Sequence, residues 1–136
     1  MSKKKKIVHV SGKRRKAIAR ATLKEGKGDI RINSKHLDTF SPRHLKLMIE
    51  EALELAGDAK KGIDISINVK GGGVVGQAEA IALCIAKGLT EWTGSEALKE
   101  KYESYDRHLI VPDSRQKETN KPGRSSARSS AQKSKR

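Results

Sequence analysis

Aromatic residues are nearly missing from this chain: one Trp, two Tyr and one Phe make up 3% of 136 residues. Readers of single-stranded nucleic acid usually display several rings for base stacking. Phe40, Trp92, Tyr102 and Tyr105 all fall in stretches that read as core or near-core. The single cysteine, Cys84, cannot form an internal disulfide, and four scattered histidines show no metal-ligand spacing. No apolar run approaches the roughly 20 residues of a membrane span, and the N-terminal lysines lack the apolar stretch of a secretory signal. These absences predict a soluble intracellular protein with no cofactor, no metal and no membrane partner. At 35% hydrophobic residues, the chain is too short for two sizeable domains and builds only a modest core.

Acidic residues are also unevenly missing. Residues 1–20 hold nine basic residues and no acidic one, and residues 107–136 hold nine basic and two acidic. Residues 21–106 hold 12 basic and 14 acidic, so the formal +14 of the chain lies in its two ends. A near-neutral body with basic ends fits a polyanionic partner, because like charge spread over a fold only repels itself.

Alternation predicts strands over Val8–Val10, Ala17–Leu23 and Asp29–Asn33, with the run Gly12-Lys13-Arg14-Arg15-Lys16 connecting the first two. Ser41-Pro42 offers a cap and first position for an amphipathic helix carrying Leu45, Met48, Ile49, Ala52, Leu53 and Ala56 inward and ending near Gly57. Its other face carries Glu50, Glu51 and Glu54. Ile63, Ile65, Ile67 and Val69 alternate as a strand with one buried face. Gly71-Gly72-Gly73 then opens a helix with Ala78, Ile81, Ala82, Ile85, Leu89 and Trp92 toward the core. Thr93-Gly94-Ser95-Glu96 matches a capping box before a third helix with Leu98, Tyr102 and Tyr105 on one face. The order β-β-β-α-β-α-α predicts an α+β fold, a two-layer sheet with helices packed on one face, over residues 1–112. Residues 113–136 contain no aromatic or branched aliphatic residue and form an extended basic tail, disordered unless bound.

Gly71-x-Gly73-x-x-Gly76 formally matches the dinucleotide-binding fingerprint, but the acidic residue it needs at the end of a following strand is replaced by Glu91 and Glu96 in or between helices. A glycine turn for close packing, or a helix start that receives a nucleic-acid phosphate, are the two readings that remain. Cys84 lies among apolar residues with no basic group to lower its pKa, so it reads as a buried, inert thiol. No acidic pair has assignable acid and base roles, and no small-molecule substrate is implied. The protein is expected not to be an enzyme.

Lys13, Arg14, Arg15 and Lys16 read as a phosphate-contacting loop rather than a solubilising one, for which alternating signs would be better. In the tail, Lys117, Lys121, Arg124, Arg128, Lys133, Lys135 and Arg136 are separated by small residues, a pattern suited to threading between phosphate walls. A solubility tag or localisation signal is the plainer reading of the same segment. About eight such contacts predict a slope of log K against log salt near −6 to −7. A chromatin-like protein of archaeal type coating duplex DNA is the alternative that fits the same charge pattern.

Ser11-Gly12-Lys13-Arg14-Arg15-Lys16-Ala17-Ile18-Ala19-Arg20-Ala21, Gly71-Gly72-Gly73 with Gly76-Gln77-Ala78, and the ending Ser134-Lys135-Arg136 together resemble the family of the universal ninth protein of the small ribosomal subunit. Asp113 and Arg115, Lys121-Pro122-Gly123 and Ala127-Arg128 fall in that family's tail pattern, and the Ser11-Gly12-Lys13-Arg14 opening and the Gln132-Lys133-Ser134 approach to the end look more archaeal than bacterial. The resemblance implies a left-handed βαβ crossover, a cytoplasmic, ribosome-bound protein in the subunit head, and small-subunit rRNA and neighbouring head proteins as partners. It further implies that the tail touches the anticodon stem-loop of peptidyl-site tRNA through Lys133, Ser134, Lys135 and Arg136. Lys13, Arg14, Arg15, Lys16, Gly71, Gly72, Gly73 and Gln77, with Arg115, Lys121, Arg124 and Arg128 of the tail, would then contact rRNA.

Overall fold

Period-two burial organises the sheet. Ala17, Ala19, Ala21 and Leu23 of strand β2 (Ala17–Glu25) and Ile63, Ile65, Ile67 and Val69 of β5 (Ile63–Lys70) are all buried, while the residues between them face away from the core. The computed structural model describes residues 6–39, 43–111, 114–116, 118–123 and 126–128. The expected helix start at Ser41-Pro42 and the ring of Phe40 lie outside the described residues.

β1 (Ile7–Arg14), β2, β3 (Ile30–Ile32), β4 (Lys35–His36) and β5 form one sheet in the order β1-β2-β5-β3-β4. β1 and β2 pair antiparallel, as do β2 and β5, whereas β3 and β5 run parallel. The connection between β3 and β5 contains helix α1 (Arg43–Ala56), as a parallel pair requires. Helices α2 (Val74–Thr93) and α3 (Glu96–Tyr105) follow β5. The core lies between one sheet face and the helices, which is the α+β two-layer arrangement expected.

α2 is buried along most of its length because it carries small residues where it meets the sheet. Ala80, Cys84 and Gly88, four residues apart on one helix face, are buried there. The approach is close enough that a Cβ on Gly12 of β1 would lie 2.9 Å from the Ala80 carbonyl oxygen, inside van der Waals contact. Cys84 Sγ donates to the Ala19 carbonyl oxygen at 3.1 Å and ties the helix to β2. α3 is fixed to α1 by the buried Tyr102 hydroxyl, which donates to the Ala52 carbonyl oxygen at 2.6 Å. At the other end, Lys6 Nζ sits 4.8 Å from the centre of the Trp92 ring and donates to the Trp92 carbonyl, a cation at the C-terminal end of α2.

Several expectations need correction. The basic run is not a free loop: β1 extends through Arg14, which pairs with Ala17, so only Arg15 and Lys16 form the turn. Long charged side chains continue a ladder without cost when its outer face is open. β4 was missed because Asn33-Ser34, with φ of 51° and 69°, makes a two-residue hairpin turn in otherwise polar sequence. The Asn33 side chain also accepts from the Val69 N–H at 2.9 Å, extending the β3–β5 ladder. The cap of α3 is Ser95, whose hydroxyl accepts from the Leu98 N–H at 3.3 Å, and not Thr93. Gly94 turns left-handed at φ 62° to end α2, leaving the Thr93 hydroxyl to donate to the Leu89 carbonyl. Tyr105 is 56% exposed rather than core, because α3 turns it past the edge of α1 and α2.

If the α2 seat is limited by Gly12, Gly12→Ala destabilises the fold by about 1–3 kcal/mol through overpacking against backbone. Denaturant unfolding of the two proteins measures it, and an unchanged midpoint rejects the close-approach account.

Candidate nucleic-acid interface

Hairpin and glycine turn form one surface. Gly71 and Gly72 have φ of 79° and 64°, and a Cβ on Gly71 would lie 2.5 Å from the Lys16 carbonyl oxygen. A Cβ on Gly72 would lie 2.9 Å from the Ala17 nitrogen. The turn therefore packs against the tip of the β1–β2 hairpin, which accounts for these two glycines on packing grounds. Gly73 is different: its Cβ would meet nothing within 4 Å, and as N-cap of α2 it offers no side-chain cap. Gln77 turns back to donate from Nε2 to the Gly71 carbonyl at 3.1 Å. Exposed Val74 and Val75 complete the first turn, whose amides have no intrahelical acceptor.

The four cations of the hairpin divide. Lys13, Arg15 and Lys16 are exposed, and Arg15 holds φ 54°, a conformation that a non-glycine residue adopts at a cost. Arg14 is drawn inward. Its Nε donates to Glu79 Oε2 of α2 at 2.7 Å with the side chain 13% exposed, and its Nη1 donates to the Arg115 carbonyl at 3.2 Å. Arg14 thus joins hairpin, helix and the beginning of the tail. A cleft of about 230 Å³ beside it is lined by Met48, Glu51, Tyr105 and Arg115 among others.

Charge on the sheet was overlooked by counting along the chain. The face turned away from the helices carries Lys13 on β1, Arg20 and Lys24 on β2, Arg31 on β3 and Lys70 on β5, all exposed. Among the described residues Asp29 lines a cleft on that face with Thr22, Lys24, Arg31 and Ser66, and so does Asp64. Asp64 Oδ1 accepts from the amides of Lys27, Gly28 and Asp29 at 2.9, 3.1 and 3.0 Å. The Asp29 amide chiefly, then those of Gly28 and Lys27 and the charge of Arg31, hold this carboxyl below its usual range against a smaller opposing effect of burial. The signal was available: the odd-even pattern that places isoleucines inward on β5 and alanines inward on β2 places Lys70, and Arg20 and Lys24, outward.

In the tail, exposed Arg128 donates from Nε to Glu118 Oε2 at 2.9 Å, and Lys121 Nζ lies 3.5 Å from the same carboxylate. Arg124, Lys133, Ser134, Lys135 and Arg136 lie outside the described residues. Burial pushes the Cys84 thiol up to about 11, so it is protonated at neutral pH and unsuited to nucleophilic attack. Among the described residues no cluster of three His, Cys, Asp or Glu side chains could hold a metal ion, and no helix is long and apolar enough to cross a membrane.

The described residues form a small α+β body that displays cations on a hairpin tip and on the open face of its sheet. The family described as ribosomal protein S9/S16 matches residues 12–136. The chain is 51% identical to the small ribosomal subunit protein uS9 of Methanococcus maripaludis strain C7, over 89% of this chain and 90% of that one. It is 49% identical to that of Methanothrix thermoacetophila over 95% of this chain and 98% of the other. The chain belongs to the ribosomal protein S9/S16 family and is not an enzyme.

The Asp64 bonds make the loop over residues 26–29 sensitive to acid. Because the folded carboxyl titrates below its unfolded value of about 4, its stabilisation is complete above that value and is lost as pH falls through the folded one. Asp64→Asn therefore lowers the unfolding temperature at pH 7, with the difference from wild type closing as both are taken below pH ~3. A difference independent of pH would show that the carboxylate charge does not brace the loop.

Proposed function

We propose that the protein is a structural constituent of the small ribosomal subunit, bound to rRNA in the head, whose C-terminal tail contacts the anticodon stem-loop of peptidyl-site tRNA. The names of the archaeal relatives, at about half identity over most of both chains, support the subunit assignment. The observation that carries the RNA contact is the hairpin tip: Arg15 and Lys16 project from a turn seated on Gly71 and Gly72, beside the uncapped start of α2. Backbone amides and guanidinium or ammonium groups converge there, the combination that binds phosphate. Lys13, Arg14, Gly73 and Gln77 belong to the same rRNA-contacting end, and Arg115, Lys121, Arg124 and Arg128 extend it along the tail. Lys133, Ser134, Lys135 and Arg136 are the tRNA contacts. Contacts of this kind go to phosphate and hold every tRNA alike. The protein works bound to ribosomes in the cytoplasm, beside other head proteins, with no small-molecule substrate. The DNA-coating alternative rests only on charge, which both readings share.

Deleting residues 132–136 removes three cations, so reconstituted subunits assemble normally but bind peptidyl-site tRNA more weakly, with a salt slope smaller by about 2–3. Filter binding across a salt series reads both quantities, and tRNA affinity equal to wild type rejects the tail assignment. Arg15→Asn separates function from stability at the hairpin. Asparagine tolerates positive φ, so the variant gains up to about 1 kcal/mol in unfolding free energy while its affinity for small-subunit rRNA falls. Loss of stability together with affinity would make Arg15 a structural residue instead.

A further inference from the structure

The strand register places the side chains of the open sheet face in rows. Thr22 of β2 stands beside Ser66 of β5, and Ser66 beside Arg31 of β3. Arg20 stands beside Asn68, Lys24 beside Asp64, and Ile18 between Lys13 and Lys70. With strands about 4.8 Å apart and alternate residues about 6.7 Å apart along a strand, Arg20 and Lys24 are separated by roughly 13 Å and Thr22 from Arg31 by roughly 10 Å. Four cations, Arg20, Lys24, Arg31 and Lys70, thus surround a patch of hydroxyl and amide groups made by Thr22, Ser66 and Asn68. None of the four makes an ion pair with a side chain among the described residues. Arg31 acts on Asp64 only through its charge, and that carboxylate is already occupied by three amides.

We infer that this face is a second RNA-docking surface and that its occupant is double-helical RNA, held by the sugar and phosphate of its shallow groove. The inference rests on the RNA-binding reading above and adds a surface to it. Three observations choose the occupant. Among the described residues the face carries no Phe, Tyr or Trp, since Trp92, Tyr102 and Tyr105 lie on α2 and α3, and its two imidazoles are engaged, His9 Nδ1 with the Thr22 hydroxyl at 3.2 Å and His36 Nδ1 with the Asp38 amide at 3.2 Å, so it presents no free ring for stacking unpaired bases. Cations at the margin with small hydroxyl and amide groups in the middle match a duplex whose two backbones flank a groove lined by 2′-hydroxyls. The opposite layer exposes Glu51 and Glu54 on α1 and Glu96, Glu100 and Glu103 on α3 against Arg43, Lys99 and Lys101, an excess of carboxylates that favours the sheet as the side RNA approaches.

The test compares the full chain with its Arg20→Gln, Lys24→Gln, Arg31→Gln, Lys70→Gln variant for binding to an RNA hairpin of about 16 base pairs and to an unstructured single strand. The substitutions are at exposed strand positions, and circular dichroism confirms that the variant is folded. The duplex is expected to bind at least tenfold more weakly with a salt slope smaller by about 3, while single-strand binding through the ends changes little. A second variant, Lys24→Arg with Lys70→Arg, keeps the charge and is expected to bind as wild type does. Duplex affinity and slope unchanged in the quadruple variant overturn the inference while leaving the hairpin and tail reading intact. Wild-type protein that binds neither RNA overturns both. A photo-cross-linker at position 31 that captures a protein in assembled subunits, and no RNA, gives the face to a protein partner and also overturns it.

Discussion

Close packing of α2 on β1 and β2 is the constraint on which the surface depends. The helix approaches so nearly that a Cβ on Gly12 would meet a backbone carbonyl, and a sulfur, Cys84 Sγ, reaches the Ala19 carbonyl directly. Small side chains achieve this by removing volume where larger ones would hold the layers apart. Once the helix lies this low, its first turn arrives against the hairpin tip, and Gly71 and Gly72 need to be glycine because Lys16 and Ala17 occupy the space their side chains would take. Two motifs separated in the chain, the basic hairpin and the glycine turn, become neighbours through that single geometric requirement.

Arg14 connects this arrangement to the tail. A guanidinium offers several donors in a rigid plane, so one side chain bonds the Glu79 carboxylate and the Arg115 carbonyl at the same time. The half-buried pair with Glu79 limits the desolvation that a deeper one would suffer, yet leaves the arginine screened enough to keep its geometry. Its consequence is directional: residue 115 begins the C-terminal segment beside the hairpin. The hairpin cations and Arg115, far apart in the chain, therefore meet at one pole of the described structure. Separate in the linear charge count, they act as one electrostatic feature.

What could be read beforehand was whatever repeats with a period. The isoleucines of β5, the inward alanines of β2, and the apolar faces of α1 and α2 all fall where periodicity places them. Cys84 was legible too, because an apolar helix face leaves a thiol nothing to do but pack. Features set by contacts between distant residues were not legible. Nothing local marks Arg14 as different from Arg15, since the distinction is made by Glu79 on another element. Tyr105 keeps helical register with Leu98 and Tyr102 but runs past the edge of what covers them. The hairpin of β3 and β4 depends on two positive φ angles and an asparagine that imitates a strand. The cationic sheet face was hidden for a further reason: charge summed over residues 21–106 mixes outward strand positions with the glutamates of the helical layer, and the sum is nearly zero although neither face is neutral.

That separation of charge between layers explains how a chain of formal charge +14 keeps a folded body. Like charges crowded on one surface oppose compaction. Here the core of the described residues is built on the other side of the sheet, from alanine, leucine, isoleucine and valine side chains with Cys84 and Tyr102, and does not involve the cations. On the open face, Thr22, Ser66 and Asn68 separate Arg20, Lys24 and Arg31, and the amide-bound Asp64 lies beside Lys24 and close enough to Arg31 to feel its charge. A sheet with one packed face can devote its second face to another purpose, because alternation lets the two sets of residues be chosen independently. The strain at Arg15 fits the same logic. A turn selected for stability alone would carry asparagine or glycine at φ 54°, so the arginine there reflects a demand placed on the tip by something outside the fold.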